Sequence, residues 1–452
     1  MDDAGEIHRG FGGLRRGGSS NAFSRSSHRA DEHDDEEALR WAALERLPTR
    51  DRARTAVLDH FPGRDDGVRA VDVGRLAPGE RAALLRRVAS VADDHGRFLA
   101  RFKERVDRVG IELPTIEVRY ENLCVEAEAY VGSRGLPTIL HTYANVLEGM
   151  ANSLHITPNR KQKISVLHNV SGTIKPHRMT LLLGPPGAGK TTLLLALAGT
   201  LPSSLEMSGK ITYNGHTMDE FVPRRSAAYV SQNDLHIGEL TVRETVNFSA
   251  KCQGSGHRFD LLMELSRREK EANIKPDPEI DVYLKAAATG EQKAEVVTNH
   301  ILKILGLDMC ADTIVGNNML RGISGGQKKR VTTAEMLVTP GRALFMDEIS
   351  TGLDSSTTFQ IVNSIRQTIH ILGGTAVISL LQPAPETYEL FDDIILLSDG
   401  QVVYNGPREH VLGFFESVGF KCPERKGVAD FLQEVNFIFC SIKLSVIMHL
   451  LL

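Results

Sequence analysis

The spacing of hydrophobic residues changes at about residue 164, from a helical period to short strands that alternate with helices. Before that point, apolar residues recur every three or four positions in two stretches, which predicts two helices. The first ends before Pro48 and the second runs from Pro78 to about Val109. Their apolar positions, which we interpret as packing faces, are Leu39, Ala42, Ala43 and Leu47, then Leu84, Leu85, Val88, Val91, Phe98, Phe102 and Val106.

Residues 114–130 alternate between apolar and polar positions, as a half-buried strand does. From Ile164 the alternation of strands and helices predicts a doubly wound α/β domain with a mostly parallel sheet. The predicted strands are Thr180–Leu183, Ile211–Tyr213, Ala227–Val230, Ala343–Met346, Ala376–Leu381 and Ile394–Leu397. Between about residues 241 and 338 the strands disappear, which predicts an inserted helical subdomain with a charged segment, Arg267–Asp281.

The composition is that of a globular protein, and the net charge argues against nucleic acid as a partner. Of the 452 residues, 41% are hydrophobic and 24% charged, which excludes a mainly disordered or fibrous chain. The formal charge is −4 because acidic residues outnumber basic ones, so we expect no nucleic-acid partner. Residues 1–37 are polar and end in an acidic run, and we expect them to be disordered. Five scattered cysteines favour reduced thiols, and no secretory signal is predicted at the start.

Residues 184–191 match the phosphate-loop motif GxxxxGK[ST] in full, between a predicted strand and a predicted helix. Gly187 and Gly189 have no Cβ, so the backbone N–H groups there can surround phosphate oxygens at the positive end of the helix. Lys190 is expected to reach the β- and γ-phosphates and Thr191 to ligate Mg²⁺. The predicted nucleotide-binding residues are Gly184, Pro185, Pro186, Gly187, Ala188, Gly189, Lys190, Thr191 and Thr192.

Two carboxylates, Asp347 and Glu348, end the apolar strand predicted for residues 343–346. Asp347 suits the acid on the magnesium side, and Glu348 suits a general base that polarises the attacking water. An apolar strand followed by two solvated acids is a common arrangement with no function. Beside a phosphate loop, we prefer the functional interpretation.

Residues 323–330 (ISGGQKKR) resemble the LSGGQ signature of ATP-binding cassette (ABC) transporters. The order of motifs resembles a complete ABC nucleotide-binding domain: phosphate loop, Gln232, signature, Asp347–Glu348 and Asp354. The resemblance implies an ATPase that pairs with a second such domain, whose ATP contacts Ser324, Gly325, Gly326 and Gln327. It also implies catalytic roles for Glu348, Gln232 and Lys190, Mg²⁺ ligation by Thr191, Gln232 and Asp347, and a D-loop at Asp354.

Longer segments are similar to the plant full-size G subfamily, the pleiotropic drug resistance type; they are Leu39–Thr49, Arg108–Val131 and Gly172–Gly199. This resemblance implies the first nucleotide-binding domain of an exporter of hydrophobic or amphipathic compounds. It implies a transmembrane-domain partner and a position on the cytosolic face of a membrane, commonly the plasma membrane. A free fragment would instead be soluble in the cytoplasm. The expected divisions are disordered residues 1–37, a helical extension 38–150, the cassette 151–435 and an apolar tail 436–452.

The chain departs from the family pattern in three places. Leu381 stands where ABC domains usually have a histidine that contacts the γ-phosphate, and leucine forms no hydrogen bond through its side chain. His370, late in the preceding helix, is not expected to replace it. The aromatic residue that commonly stacks on adenine is missing, and the basic residues of segment 158–163 stand there instead. Residues 437–452 are apolar, but this segment is short for a membrane span and contains Lys443.

Three explanations of the apolar tail stay open: the end of a truncated chain, which we prefer, a membrane anchor, or a segment that binds a partner. Two functions also stay open. The first is the ATP-hydrolysing cassette of an exporter, and the alternative is a truncated, non-catalytic ATP-binding module that lends its signature to a partner domain. Residues 239–245 resemble the segment that contacts membrane-domain helices, although Thr241 and Glu244 also predict an ordinary helix capping box.

Overall fold

The computed structural model describes residues 38–58, 69–76, 94–129, 162–252, 256–288, 293–338 and 342–435, with Glu80, Leu84 and Val88. The segments 1–37 and 436–452, for which disorder and an apolar tail are predicted, lie outside these residues. The strands are β1 (Thr55–Leu58), β2 (Arg69–Asp72), β3 (Val118–Ala129), β4 (Gln162–Ile174), β5 (Arg178–Leu183), β6 (Leu205–Tyr213), β7 (His216–Thr217), β8 (Ala227–Val230), β9 (Ala343–Met346), β10 (Thr375–Ser379), β11 (Asp393–Ser398) and β12 (Gln401–Pro407).

Helices of four or more residues connect and flank these strands. They are α1 (38–46), α2 (Thr49–Arg52), α3 (His95–Arg108), α4 (Lys190–Leu197), α5 (Pro223–Ser226), α6 (Val242–Cys252), α7 (Gly256–Glu271), α8 (Pro278–Ala288), α9 (Lys293–Ile304), α10 (Gly325–Leu337), α11 (Ser355–Leu372), α12 (Pro385–Tyr388), α13 (Val411–Ser417) and α14 (428–435). Among the described residues, no helix has the length and hydrophobicity that a bilayer crossing needs.

A six-stranded sheet in the order β12-β11-β5-β10-β9-β8 forms the centre of the molecule. Its strands are parallel except for the antiparallel pair β11–β12. The four residues of β9 and the five of β10 are all buried, because helices cover both faces of a parallel sheet. The predicted α/β fold is therefore confirmed, and the phosphate loop follows the central strand β5.

A second, antiparallel sheet in the order β4-β3-β6-β7 packs beside the first. Strand β3 pairs with β4 along one edge and with β6 along the other, so it is an interior strand of this sheet. The strand predicted over 114–130 begins at Val118, and the predicted segment Ile211–Tyr213 lies here, at the end of β6. Strand β4, which the sequence analysis does not predict, holds Leu167 against the phosphate loop.

The helical subdomain α6–α10 is present as predicted, and buried charges attach it to the extension. Arg105 of α3 donates from Nε to Glu269 Oε1 at 2.7 Å and from Nη2 to Asp281 Oδ1 at 2.8 Å. Lys285 Nζ donates to Asp281 Oδ2 at 2.6 Å. All four side chains are at most 5% exposed. We call this set the buried charge cluster; the predicted charged segment contributes Glu269 and Asp281 to it.

Two predictions for the extension need correction. The second helix is divided at Asp94, whose extended backbone and side-chain bond to Arg97 N, at 3.0 Å, start helix α3. Parts of residues 77–93 lie outside the described residues. The first helix exists as α1, but its predicted face is wrong: Leu39 is 70% exposed, and Trp41 and Leu44 are the buried residues.

Candidate functional site

The loop of residues 184–189 joins β5 to α4, and two of its glycines have left-handed backbones. Gly187 has φ +82° and Gly189, the N-cap of α4, has φ +92°. Side chains rarely adopt these angles, which explains glycine at both positions. Space requires glycine as well, since a Cβ on Gly184 would lie 2.4 Å from the Leu397 carbonyl oxygen and one on Gly189 2.8 Å from Leu167 Cδ2. The loop backbone is thus fixed next to a helix N-terminus, an arrangement that suits an anion.

Lys190 begins α4 and folds its ammonium group back over the loop. The side chain donates from Nζ to the carbonyl oxygens of Gly184 at 2.8 Å and Pro185 at 3.1 Å. Burial lowers the pKa of Lys190, and the carboxylates of Glu348 and Asp347 act in the opposite direction. The positive charge therefore lies at the loop and within the influence of both predicted acids.

Asp347 follows β9 and is fully buried, with three hydroxyl groups around its carboxylate. Thr191 Oγ1 donates to Oδ2 at 2.6 Å, Tyr229 Oη donates to Oδ2 at 3.4 Å, and Ser379 Oγ donates to Oδ1 at 2.7 Å. Burial, together with Asp347, raises the pKa of Tyr229, so that phenol remains a donor. The hydroxyl of Thr191 and the carboxylate of Asp347 are hard oxygen ligands in direct contact, the kind that Mg²⁺ prefers.

Glu348 has a left-handed backbone with φ +49°, an uncommon conformation for a residue with a side chain. Its N–H donates to Ser379 Oγ at 2.9 Å, and its Oε2 accepts from Gln232 Nε2 at 2.6 Å. Two of the three predicted catalytic residues, Glu348 and Gln232, are therefore brought together, although they lie 116 positions apart in the chain.

Ser379, at the end of β10, is a site residue that the sequence analysis missed. Its hydroxyl accepts from Glu348 N and donates to Asp347 Oδ1, so one side chain holds both acids. The available signal was a single serine at the end of an otherwise apolar strand, Thr-Ala-Val-Ile-Ser. The role of this serine can be inferred only once β10 is known to pair with β9, the strand that both acids follow.

Leu381, at the predicted histidine position, comes two residues after the end of β10. Its carbonyl oxygen accepts a hydrogen bond from Gln433 of α14, which attaches this segment to the end of the described chain. His370 lies elsewhere, with Nε2 2.8 Å from Asp392 Oδ2. His370 therefore does not replace the histidine that is missing at position 381, as predicted from the sequence.

The signature segment forms the N-terminus of α10. Ser324 is the N-cap and forms a capping box with Gln327, with bonds of 3.2 Å and 2.8 Å in the two directions. A Cβ on Gly326 would lie 2.8 Å from the carbonyl oxygen of Gly352, so the signature segment lies close to the turn that precedes Asp354. Asp354 then caps α11 by accepting from Thr357 N at 2.9 Å, and bonds from Thr357 lower the pKa of Asp354.

A second contact that the sequence analysis missed joins α10 to the segment around Gln232. Lys329 is 2% exposed and donates from Nζ to the carbonyl oxygens of Gln232 at 2.7 Å and Ser231 at 3.1 Å. Thr332 Oγ1 donates to Asp234 Oδ1 at 2.6 Å. The signature helix therefore holds the backbone from which Gln232 reaches Glu348.

Two further predicted segments have local partners. Of the basic residues at 158–163, only Lys163 is described, and its Nζ contacts Glu206 Oε2 at 2.8 Å on the surface. Thr241 and Glu244 form the predicted capping box, with Thr241 N donating to Glu244 Oε2 at 2.9 Å and Glu244 N donating to Thr241 Oγ1 at 3.2 Å. The capping interpretation is confirmed, and the membrane-domain contact stays a prediction.

Comparison with known protein families identifies three matching models along the chain. The model described as ABC transporter matches residues 167–351, which contain the phosphate loop, the signature and both acids. The model described as ABC-transporter N-terminal matches residues 88–142, and the model described as ABC-2 type transporter matches residues 381–440. The candidate site thus lies within the first of these matches.

Two similar proteins come from Oryza sativa subsp. japonica. ABC transporter G family member 53 is 83% identical over 443 residues, and ABC transporter G family member 52 is 78% identical over 436 residues. Each alignment covers 96% of this chain and 30% of the relative. The chain therefore spans about 30% of the length of these relatives.

Solved structures with a related shape include an ATP-binding subunit of an ABC transporter, with 16% identity and a TM-score of 0.44, covering 67% of this chain and 95% of that one. A bacterial ABC transporter cassette solved as a dimer has 18% identity and a TM-score of 0.43, and covers 64% of this chain and 98% of the other.

Proposed function

We propose that the chain forms the first nucleotide-binding part of a full-size transporter of the ABC transporter G family, of the pleiotropic drug resistance type. The match of residues 167–351 to the ABC transporter model and the 83% identity to ABC transporter G family member 53 support this. On this proposal it binds and hydrolyses ATP in order to power export through a membrane domain. The proposed divisions are a disordered segment 1–37, an extension 38–150, the cassette 151–435 and an apolar tail 436–452.

One observation carries the proposal: the phosphate loop, both acids and Gln232 form a single hydrogen-bonded site. Thr191 contacts Asp347 at 2.6 Å, and Gln232 contacts Glu348 at 2.6 Å. If Asp347 and Glu348 were only solvated acids after a buried strand, nothing would require them to contact the phosphate loop and Gln232, which lie in two other loops. The assembly supports nucleotide chemistry and not a solvated loop.

Each residue has a role that follows from its position. Loop N–H groups and Lys190 would bind the phosphates of ATP, and Glu348 would accept a proton from the attacking water with Gln232 as its partner. Thr191 and Asp347, with Gln232, would hold Mg²⁺. The bound ion would neutralise charge on the phosphate oxygens.

A second nucleotide-binding domain is the proposed partner at the signature. The capped N-terminus of α10 exposes Ser324 and Gly325, and N–H groups at a helix start suit the γ-phosphate of a nucleotide bound to that partner.

A transmembrane domain is the proposed partner near the segment that follows Gln232. In this segment Leu235 is 85% exposed and Ile237 59%, and in a second loop Met319 is 96% exposed. Exposed apolar side chains in neighbouring loops suit such a contact. The proposed location is the cytosolic face of a membrane, such as the plasma membrane, through this partner.

Steady-state hydrolysis of Mg-ATP by the purified chain, alone and with a partner cassette that has the histidine, tests the proposal. We expect slow or absent turnover alone, turnover with the partner, and loss of this chain's own contribution in Glu348→Gln. The exposed Glu416→Gln on α13 is the matched control and should leave turnover unchanged. Failure to bind Mg-ATP by calorimetry would contradict the proposal.

A second candidate function is a cassette that binds ATP without hydrolysing it and lends its signature to the partner's site. Leu381 favours it, since no side-chain hydrogen bond to a γ-phosphate is available from leucine. Leu381→His discriminates between the two. If leucine is what limits the chain's own site, the variant gains turnover and Glu348→Gln removes the gain again; binding with no turnover in either variant supports the non-catalytic function.

A further inference from the structure

A cavity of about 280 Å³ lies where helix α3, the helical subdomain and helix α11 meet. Its wall is largely aliphatic and includes Leu262 and Ala287. Three neighbouring rings form one side: the centroids of Phe98 and Tyr283 are 4.5 Å apart, and that of His300 lies 5.4 Å from Phe98 and 5.9 Å from Tyr283. The phosphate loop, both acids and the signature are not among its lining residues. This cavity is therefore separate from the candidate nucleotide site.

His300, one of the lining residues, has a ring nitrogen without a partner. Its Nε2 lies 3.3 Å from His95 Nδ1, whereas its Nδ1 is buried and has no hydrogen-bond partner among the described residues. Burial lowers the pKa of His300 to about 3, so the ring is neutral at neutral pH. A neutral imidazole has one donor and one acceptor nitrogen, so Nδ1 lacks a partner in either tautomer. Such an atom carries a desolvation cost that a ligand could remove.

Three other polar side chains of the wall, His95, Thr368 and Arg258, have hydrogen-bond partners of their own. His95 Nε2 lies 3.0 Å from Thr368 Oγ1, which in turn donates to the Ser364 carbonyl oxygen at 3.0 Å. Arg258, the cation in the lining, donates from Nη2 to the Val338 carbonyl oxygen at 2.8 Å. Among the lining residues, His300 Nδ1 is the fully buried polar atom without a partner, so a ligand would need a polar group directed at it.

We propose that this cavity binds a small phenol, with its ring against Phe98 and Tyr283 and its hydroxyl group paired with His300 Nδ1. A hydroxyl group both donates and accepts, so it pairs with either tautomer of the imidazole. The size is suitable, since a cavity of roughly 150 Å³ is enough for benzene and the present one accommodates one or two rings. Aromatic walls favour an aromatic ligand through offset and edge contacts.

A ligand in this cavity would contact three units of the molecule at once. Helix α3 belongs to the extension, Tyr283 and His300 belong to the helical subdomain, and α11 begins at Asp354 in the D-loop. Binding would therefore stabilise one arrangement of the helical subdomain against the core. We expect the ligand to raise the midpoint of thermal unfolding of the whole chain, because it binds the folded form alone.

Titration of the whole chain with p-cresol and with toluene, followed by ligand-observed NMR, tests the inference. The two probes have similar shape, and only p-cresol has a hydroxyl group. We expect p-cresol to bind about tenfold more tightly, the value of one net hydrogen bond. His300→Phe keeps a ring and removes the nitrogens, so p-cresol should lose its preference over toluene. His410→Phe, at an exposed histidine, should preserve the tenfold difference.

Three results would overturn the inference: no binding of either probe, equal affinity of both probes for the unmodified chain, or a tenfold preference that survives in His300→Phe. Ala287→Phe places a ring inside the cavity and should abolish binding of both probes. Circular dichroism reports whether that variant folds, and if it does not, the His300→Phe comparison decides the question by itself.

Discussion

At the scale of single residues, Ser379 connects the two acids of the site. Its hydroxyl is used twice, as the acceptor for Glu348 N and as the donor to Asp347 Oδ1. It also stabilises a glutamate whose left-handed backbone would otherwise be costly. Glu348 N also donates to the Ser379 carbonyl oxygen at 3.1 Å, whereas Asp347 Oδ1 has no second hydrogen bond among the described residues. The position of the Asp347 carboxylate therefore depends on a residue that would not touch the nucleotide.

We expect Ser379→Ala to lower ATP turnover in the paired state, because the Asp347 carboxylate and the Glu348 backbone each lose a hydrogen bond. A buried carboxylate left with an unpaired oxygen should also cost about 1–3 kcal/mol of unfolding free energy. Hydrolysis assays and urea unfolding measure the two effects. Ser266→Ala, a buried serine on α7, is the control, and equal losses in both variants would contradict a specific role for Ser379.

The imidazole of His300 makes stability depend on pH. Burial lowers its pKa in the folded chain to about 3, below the ordinary 6.5, with smaller contributions from His95 and Lys303. The folded form therefore stays unprotonated while the unfolded form takes up a proton below pH 6.5. The contribution of neutral His300 to the free energy of unfolding is complete above pH 6.5. It declines as the pH falls toward 3, and roughly 2 kcal/mol of it is lost at pH 5.

His300→Phe should remove that part of the pH dependence. Urea unfolding of both chains at pH 7.5 and at pH 5 gives the comparison, and the loss between these two values should be smaller in the variant. His410→Phe should behave as the unmodified chain does. An equal loss in His300→Phe would show that other groups cause the decline.

At the scale of elements, the parallel strands were predictable and several other elements were not. The residues of β8, β9 and β11 are apolar over four or more positions because both sheet faces are covered, and that signal is local. Strand β4 has an exposed, polar half, so its sequence resembles a loop. The predicted long helix could not reveal its division, because the Asp94 cap interrupts a hydrophobic stripe that continues beyond it.

The candidate site was predictable as a list of motifs and not as a set of contacts. Phosphate loops and acids following a strand have local patterns, so Lys190, Thr191, Asp347 and Glu348 could be selected from the sequence. Ser379 and Lys329 act through partners at least 31 and 97 positions away, which no local pattern encodes. Their roles depend on which strands and helices become neighbours.

Helix α10 and the Gln232 segment form one connected unit through Lys329. We expect Lys329→Met to reduce turnover in the paired state while nucleotide affinity changes little, because the loop carrying Gln232 loses its two backbone bonds. Lys328→Met is the matched control, since Lys328 Nζ donates to the Gly316 carbonyl oxygen at 2.9 Å instead. Turnover and calorimetry are the measurements; a larger effect on affinity than on turnover would contradict this role.

Helix α3 and the helical subdomain are joined by the buried charge cluster. Arg105→Met should cost about 3–5 kcal/mol of unfolding free energy, because Glu269 and Asp281 lose a buried partner. Arg101→Met is the control: its ion pairs with Asp277 and Glu279 are partly exposed and worth about 1 kcal/mol or less. Urea unfolding measures both, and equal costs would show that the cluster contributes no more than a surface pair.

At the scale of the whole molecule, the predicted extension contributes the interior strand β3 to the sheet beside the phosphate loop. Strand β3 precedes the phosphate loop by more than fifty residues, yet it lies between β4 and β6 of the second sheet. Its Val118, Tyr120, Leu123 and Val125 are fully buried. Removing this strand would expose apolar surface and leave two unpaired strand edges.

A chain that begins at residue 131 should therefore aggregate, whereas a chain that begins at residue 38 keeps α3, β3 and the buried charge cluster, including the bond from Lys285 Nζ to the Thr55 carbonyl oxygen at 2.6 Å. We expect the second to bind Mg-ATP with unchanged affinity. Sedimentation and calorimetry of both chains provide the measurement. A soluble chain from residue 131 with full affinity would show that β3 is dispensable.

The contact between Gly326 and the Gly352 carbonyl oxygen has a consequence for how motion passes through the molecule. The close approach requires glycine at position 326, since a Cβ there would lie 2.8 Å from that oxygen, and neither backbone group carries a charge. A displacement of the signature segment toward that carbonyl must push the adjoining turn along with it. A contact between two uncharged groups does not depend on ionic strength or pH, so it would persist under conditions that weaken the ion pairs elsewhere on the surface.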